Sequence, residues 1–276
     1  MKKHSKSCLV RNKRFISIYI SMNLDIIGTL FIGSILSVAA GVLGSFAVLK
    51  RMTLAGDVLS HVALPGIGLA LFLGISQFLG AFVALVVAAF AVWGIRNRTN
   101  LPEETVIGTL FASSLALGIL LTPGEELIDA LFGGLGKVSV IEGILVVGLS
   151  LIIIILMVVL ARKIVFSTVS PELAKVSDIN PEFIELVFLV SFAIIIALGV
   201  RFTGTLLMGA LIIMPAAASK NLSRNLKTFI SLSVFFALIS TAGGFLFSHY
   251  TGILPGPISI FISSLLFSVS ILFRLR

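Results

Sequence analysis

Cysteine is all but absent. Cys8 is the only one in the chain, so an internal disulfide and a thiolate cage for zinc are both excluded. Charge is scarce as well. Asp, Glu, Lys and Arg make up 12% of the 276 residues, about half the share of an ordinary soluble domain. A phosphate-binding loop is also missing. The nearest approach, Gly133-Gly134-Leu135-Gly136-Lys137-Val138, lacks the spacing and has Val138 where Ser or Thr would hold magnesium. Any ATP chemistry therefore belongs to another subunit. With three histidines and twelve acids in the whole chain, metal handled here would need Asp, Glu and His as its ligands.

Hydrophobic side chains make up 58% of the chain, and the mean hydropathy is +1.18. Lipid must be the solvent for most of such a surface. A backbone group left unpaired in hydrocarbon costs several kcal/mol, so long apolar runs must be helices, and a barrel would show weak alternation instead. Nine runs are expected to span, at about Leu24–Leu49, Leu54–Ile75, Phe78–Ile95, Val106–Leu121, Ile141–Leu160, Phe183–Val200, Thr205–Ser219, Phe229–Phe247 and Ile258–Phe273. The predicted fold is an all-α polytopic membrane protein with eight to nine transmembrane helices, since the shorter runs could be tilted or re-entrant. The connections are too short to hold a soluble domain.

Basic residues orient the bundle. Alternate connections and the carboxyl end collect Lys50, Arg51, Arg96, Arg98, Arg162, Lys163, Lys175, Lys220, Arg224, Lys227, Arg274 and Arg276 on one side and only Lys137 and Arg201 on the other. The first side is cytoplasmic by the positive-inside rule. Nine spans then place the amino terminus outside, although residues 1–21 hold Lys2, Lys3, Lys6, Arg11, Lys13 and Arg14 and no acid. The expected division is a basic extension, 1–21, either an over-long start before Met22 or an unpacked segment, followed by a single transmembrane domain, 22–276. Basic residues near a membrane segment mark topology, so no nucleic-acid partner is expected.

Two connections are longer. The cytoplasmic one, Ala161–Glu182, contains Ser170-Pro171-Glu172-Leu173-Ala174-Lys175, which reads as a short helix capped by Ser170 and begun by Pro171, followed by a stop at Asn180-Pro181. It is available to a cytoplasmic partner. The outer one, Thr122–Ser139, carries Glu125, Glu126 and Asp129 and reads as a solvated loop.

Asp57 and His61 stand four residues apart near the start of the second run, on one face of a helix. A carboxylate and an imidazole so placed can chelate one divalent cation, or can simply hydrogen-bond to each other. An acid near the bilayer centre costs about 2.5–3.5 kcal/mol on insertion scales, so it normally faces a cavity, a partner or an ion path. Pro65-Gly66 just beyond could kink or interrupt the helix. One Asp and one His do not close a four-ligand site, and a two-fold dimer would bring two of each to its axis. His249 falls at the outer end of a span, where a polar aromatic residue is ordinary, and His4 lies in the extension.

The stretch Gly41–Met52, followed by Gly56-Asp57 and Ser60-His61, resembles the permeases of zinc, manganese and iron ABC importers. The resemblance continues through Glu104–Gly108, Leu131-Phe132-Gly133, Ser170–Ala174, Gly204–Leu207 and Ile213–Ala217, nearly everything from Met22 onward. It implies a homodimeric, multi-pass permease of a prokaryotic cell membrane, not itself an enzyme. It also implies a pair of cytoplasmic ATPase subunits and an extracytoplasmic metal-binding protein that delivers the ion. Asp57 and His61 would line the path of a divalent ion that passes as substrate and is not kept as a cofactor. Ser170, Pro171, Glu172, Leu173, Ala174 and Lys175 would form the ATPase-docking loop, whose Ser-Pro-acid-Leu-Ala form is similar to the zinc branch. Asp178 stands where that family usually has glycine, and the outer turn Gly252–Pro257 keeps only part of the family pattern.

Two other readings compete. A gradient-driven carrier would generally need a separate coupling site, and the docking loop argues against it. A permease for a metal chelate or a vitamin would need a wide polar cavity, which these spans have too few polar residues to line.

Overall fold

The computed structural model of the protein describes residues 28–99, 103–122, 124–132 and 139–273, and every regular element among them is a helix. The basic extension and the glycine-rich segment 133–138 lie outside the described residues. The chain begins with α1 (Gly28–Leu49), α2 (Thr53–Leu73), α3 (Gln77–Arg98) and α4 (Glu103–Leu121). A short α5 (Gly124–Phe132) leads to the long α6 (Val140–Val169), and α7 (Pro171–Val176) follows at the end that the basic residues mark as cytoplasmic. The chain then completes α8 (Pro181–Thr203), α9 (Thr205–Leu222), α10 (Leu226–Thr251) and α11 (Pro255–Leu272).

Seven of these helices are long and apolar enough to cross a membrane: α1, α2, α3, α6, α8, α10 and α11. The apolar stretches Thr105–Leu121 in α4 and Leu207–Leu222 in α9 are shorter. Each of the nine runs expected from hydropathy therefore becomes a helix, and the runs at Val106–Leu121 and Thr205–Ser219 become the two short ones. The molecule is a multi-pass membrane protein.

Three local expectations need correction. The outer connection is not all loop, because Gly124–Phe132 is helical. Its apolar residues Leu127, Ile128, Ala130 and Leu131 alternate with acids at a period that suits an interfacial helix. The fifth run continues well past Leu160 to Val169, carrying Arg162 and Lys163 on helix beyond the apolar stretch. Asn180 is a start as well as a stop, since its Oδ1 accepts hydrogen bonds from the Glu182 and Phe183 N–H groups at 3.0 and 3.1 Å and caps α8.

The core forms where α1, α2 and α8 meet. Leu43 and Phe46 from α1, Leu59 and Ala63 from α2, and Phe188, Phe192, Ile195 and Ile196 from α8 are almost fully buried in one cluster. Among the long helices α8 is the most enclosed and α6 the least. Ile144, Ile152, Ile155 and Val159 of α6 point outward, as a lipid-facing helix requires.

Among the described residues two further acids lie inside apolar runs, Glu142 and Glu185, and the structure pairs each with an arginine. At the outer end, Glu142 of α6 pairs with Arg201 of α8 and also accepts the Ser139 N–H at 3.0 Å. At the inner end, Glu185 of α8 pairs with Arg96 in the last turn of α3. A carboxylate at a helix start and a cation at a helix end complement both macrodipoles.

Candidate metal path and docking surface

The helix that carries Asp57 and His61 is held on several sides by close crossings. Gly66 of α2 and Gly80 of α3 face each other so closely that a Cβ on either would run into the other's carbonyl oxygen. On a second side, a Cβ on Gly118 of α4 would press on Leu64. Against α9 the backbones approach again, and a Cβ on Gly209 would lie 2.5 Å from the Asp57 Cα. Phe192 of α8 fills the space over Gly56, 3.1 Å from where a Cβ would stand. Small residues let membrane helices pack this tightly, where apolar burial adds little to their association.

Pro65 does not interrupt α2, which runs unbroken from Thr53 to Leu73. Proline has no N–H, so the His61 carbonyl four residues earlier loses its helical donor. The close packing on α3 and α4 at Leu64 and Gly66 holds the helix together there.

Asp57 and His61 occupy different environments. Asp57 is exposed on the single chain, whereas His61 is buried at 6% exposure. The imidazole sits edge-on to Phe111 of α4, with ring centroids 5.1 Å apart and planes at 71°. Its Nδ1 is buried and has no hydrogen-bond partner in the structure. A buried nitrogen left without a partner costs about 1–3 kcal/mol, so it is open to an ion or a water. Nearby, Ser60 donates to the Asp57 carbonyl at 2.6 Å, which keeps that hydroxyl on the backbone.

Among the described residues no three His, Cys, Asp or Glu side chains gather to hold a metal ion. His249 is exposed at the outer end of α10 beside Tyr250, with ring centroids 5.6 Å apart. Glu126 of α5 buries one carboxylate oxygen without a partner, a feature that a loop reading of this segment could not have found.

The docking segment is helical from Pro171 to Val176, with Pro171 in its first turn. Ser170 occupies the cap position, but its hydroxyl makes no cap; its carbonyl accepts the Ala174 N–H at 3.0 Å instead. Ala174 is fully buried and anchors the segment. Leu173 and Val176 are 57% and 83% exposed at the polar end of the bundle, where bare apolar side chains suit a protein partner. Lys175 reaches Glu182 at 3.3 Å. After the helix Asp178 takes φ 55°, a left-handed conformation. Glycine adopts that conformation without strain, and Asp tolerates it better than most side chains.

Similarity to known proteins agrees with this architecture. The chain matches the ABC 3 transport family model over residues 21–274. It is 30% identical over 254 residues to the high-affinity zinc uptake system membrane protein ZnuB of Haemophilus influenzae, covering 90% of this chain and 97% of that protein. It is 28% identical over 244 residues to the manganese transport system membrane protein MntC of Halalkalibacterium halodurans, covering 87% and 84%. The structure of PsaBC from Streptococcus pneumoniae in complex with Fab contains a chain similar in fold, with a TM-score of 0.77, 27% identity and coverage of 88% and 89%. A nine-run helical bundle with no nucleotide-binding loop, matched almost end to end by these permeases, belongs to the ABC 3 transport family.

Proposed function

We propose that this chain is the membrane-spanning subunit of an ATP-driven importer that carries a divalent transition-metal ion into the cytoplasm, with zinc the first candidate. The observation that carries the reading is the Asp57–His61 pair on a helix held by glycine crossings. The carboxylate is turned away from the body of the chain, and a buried imidazole nitrogen without a partner stands one turn further on. A carboxylate facing hydrocarbon would cost about 2.5–3.5 kcal/mol. The same carboxylate on the axis of a dimer of this chain faces an aqueous path and its symmetry mate. Two such pairs supply two carboxylates and two imidazoles, a donor set suited to zinc, manganese or ferrous iron.

A transport site must strip water from the ion and still release it. An open pair from each protomer serves that need better than a closed cage. Energy comes from cytoplasmic ATPase subunits that seat on Leu173 and Val176 of α7, and an extracytoplasmic binding protein delivers the ion. Zinc is placed first on the Ser170–Ala174 sequence form and on the likeness to ZnuB; the likeness to MntC keeps manganese next. Uptake by cells that carry the permease with its ATPase and binding protein, measured ion by ion, tests the reading. Zinc entering fastest is the expected result. Manganese entering faster than zinc would overturn the zinc assignment, and no divalent metal entering at all would overturn the importer.

A further inference from the structure

The cytoplasmic ends of α3 and α8 are joined by two contacts that the metal path and the docking surface leave unused. Glu185, in the second turn of α8, is almost buried and pairs with the Arg96 guanidinium of α3. One turn earlier on each helix, the only tryptophan of the chain, Trp93, donates its indole N–H to the Glu182 carbonyl at 2.9 Å. An ion pair and a hydrogen bond at successive turns fix both the spacing and the register of the two helices, where either alone would fix only one.

This junction lies between the docking helix and the candidate ion site. On its cytoplasmic side, Glu182 receives Lys175 of α7, and the backbone runs from α7 into α8 through only four residues, 177–180. A cavity of about 350 Å³ separates α7 from the junction, lined by Lys50, Arg96, Lys175 and Glu185 among others, and it leaves α7 room to shift. On the membrane side, α3 meets α2 at Gly80 and Gly66, and Phe192 of α8 sits over Gly56, next to Asp57. The α2 and α3 backbones are packed too closely to slide independently, and the Phe192 ring wedges α8 against the same helix, so α3 and α8 displace α2 most directly when they move together.

We propose that the Arg96–Glu185 ion pair, with the Trp93–Glu182 hydrogen bond beside it, is the linkage through which the docking helix moves the helix that carries Asp57 and His61. These four residues position other groups and touch no ion. With the linkage intact, a push on α7 carries α8 and α3 as one body and displaces α2. With it broken, α7 and the start of α8 give way while α2 stays, and ATP is hydrolysed without moving metal. Glu185 is buried and Arg96 partly exposed, and removing the arginine charge leaves the buried carboxylate uncompensated, so exchange of the charges separates linkage from mere stability. The inference rests on α7 being the surface on which the ATPase docks.

The test uses the full complex in proteoliposomes and reads labelled zinc or manganese carried per ATP hydrolysed, with the ATPase retained on purification as a check of assembly. Glu185→Gln and Trp93→Phe should each keep the ATPase bound and lower that ratio by about fivefold. Arg96→Glu and Glu185→Arg should each lower it singly, and the two together should restore it to within about twofold of the parent. A parental ratio in Glu185→Gln and Trp93→Phe would overturn the linkage, as would an exchanged pair that assembles yet carries no more metal per ATP than the single reversals. Ala174→Pro, run in parallel, tests the docking reading on its own. If it leaves both ATPase retention and the ratio unchanged, the docking reading fails; if it uncouples while the junction variants do not, only the linkage fails.

Discussion

At the scale of single residues, Asp57 and His61 would divide the work of the proposed ion site between charge and orientation. The carboxylate is exposed and can meet an incoming ion, whereas the imidazole is fixed edge-on to Phe111 and keeps one nitrogen open. His61→Gln preserves a polar side chain of similar reach but removes that nitrogen. It is expected to lower metal uptake by about tenfold or more at normal membrane levels, the loss of one ligand. Uptake at the parental rate would make His61 a packing residue. Asp178 offers a second test, through the backbone. Its φ of 55° is tolerable for Asp and poor for a β-branched side chain. Asp178→Val should therefore destabilise the turn after α7 by about 1–2 kcal/mol, and Asp178→Gly should not. The two thermal midpoints in detergent, measured side by side, decide the matter.

Helices and their crossings set the next scale. Two glycines on α3 make opposite predictions from one backbone. A Cβ on Gly80 meets the Gly66 carbonyl, while a Cβ on Gly94 meets nothing within 4 Å. Gly80→Ala should destabilise the permease by about 1–3 kcal/mol, as overpacking does. Gly94→Ala should be neutral or stabilising by about 0.5–1 kcal/mol, because Ala is the better helix former. Equal midpoints for the two variants would contradict the close crossing. For α7, Ala174 is buried and its N–H bonds to the Ser170 carbonyl. Ala174→Pro removes that bond, and Glu172→Lys reverses a charge on the exposed side. Both should uncouple ATP hydrolysis from transport in a permease that still folds, and unchanged coupling in both would remove the docking role.

The helices were legible in advance where one physical signal dominated. Hydrocarbon admits only self-satisfied backbone, so apolar runs of sufficient length became helices, most within a few residues of their expected ends, the fifth running on past Leu160 to Val169. Signals that depend on partners distant in sequence were not legible. Glu185 and Glu142 drew no reading from the sequence, and only the fold brings Arg96 and Arg201 beside them. Pro65-Gly66 has the chemistry to kink or interrupt a helix, but the packing of α3 and α4 holds α2 through it. The helix in Gly124–Phe132 was hidden because three acids in nine residues look like a solvated loop. Asp57 and His61 were visible as a pair from their spacing, whereas their unequal burial needed Phe111 and Gly209 in place.

At the scale of the whole molecule, the seven long and two shorter apolar helices form a bundle in which α7 at one end carries the proposed docking surface and α2 carries the candidate ion site. An assembly built on this plan moves metal only when ATP is hydrolysed by its partner subunits, and it needs no ion gradient. A gradient-driven carrier would behave in the opposite way. The most direct test is the flux of labelled zinc or manganese into proteoliposomes holding the complete complex, with ATP present and all ion gradients collapsed, for the parental chain and for Asp57→Asn. The predicted result is ATP-dependent flux in the parent and flux lower by about tenfold or more in Asp57→Asn, with the ATPase still bound. Parental flux that persists without ATP, or Asp57→Asn flux equal to the parent's, would contradict the account.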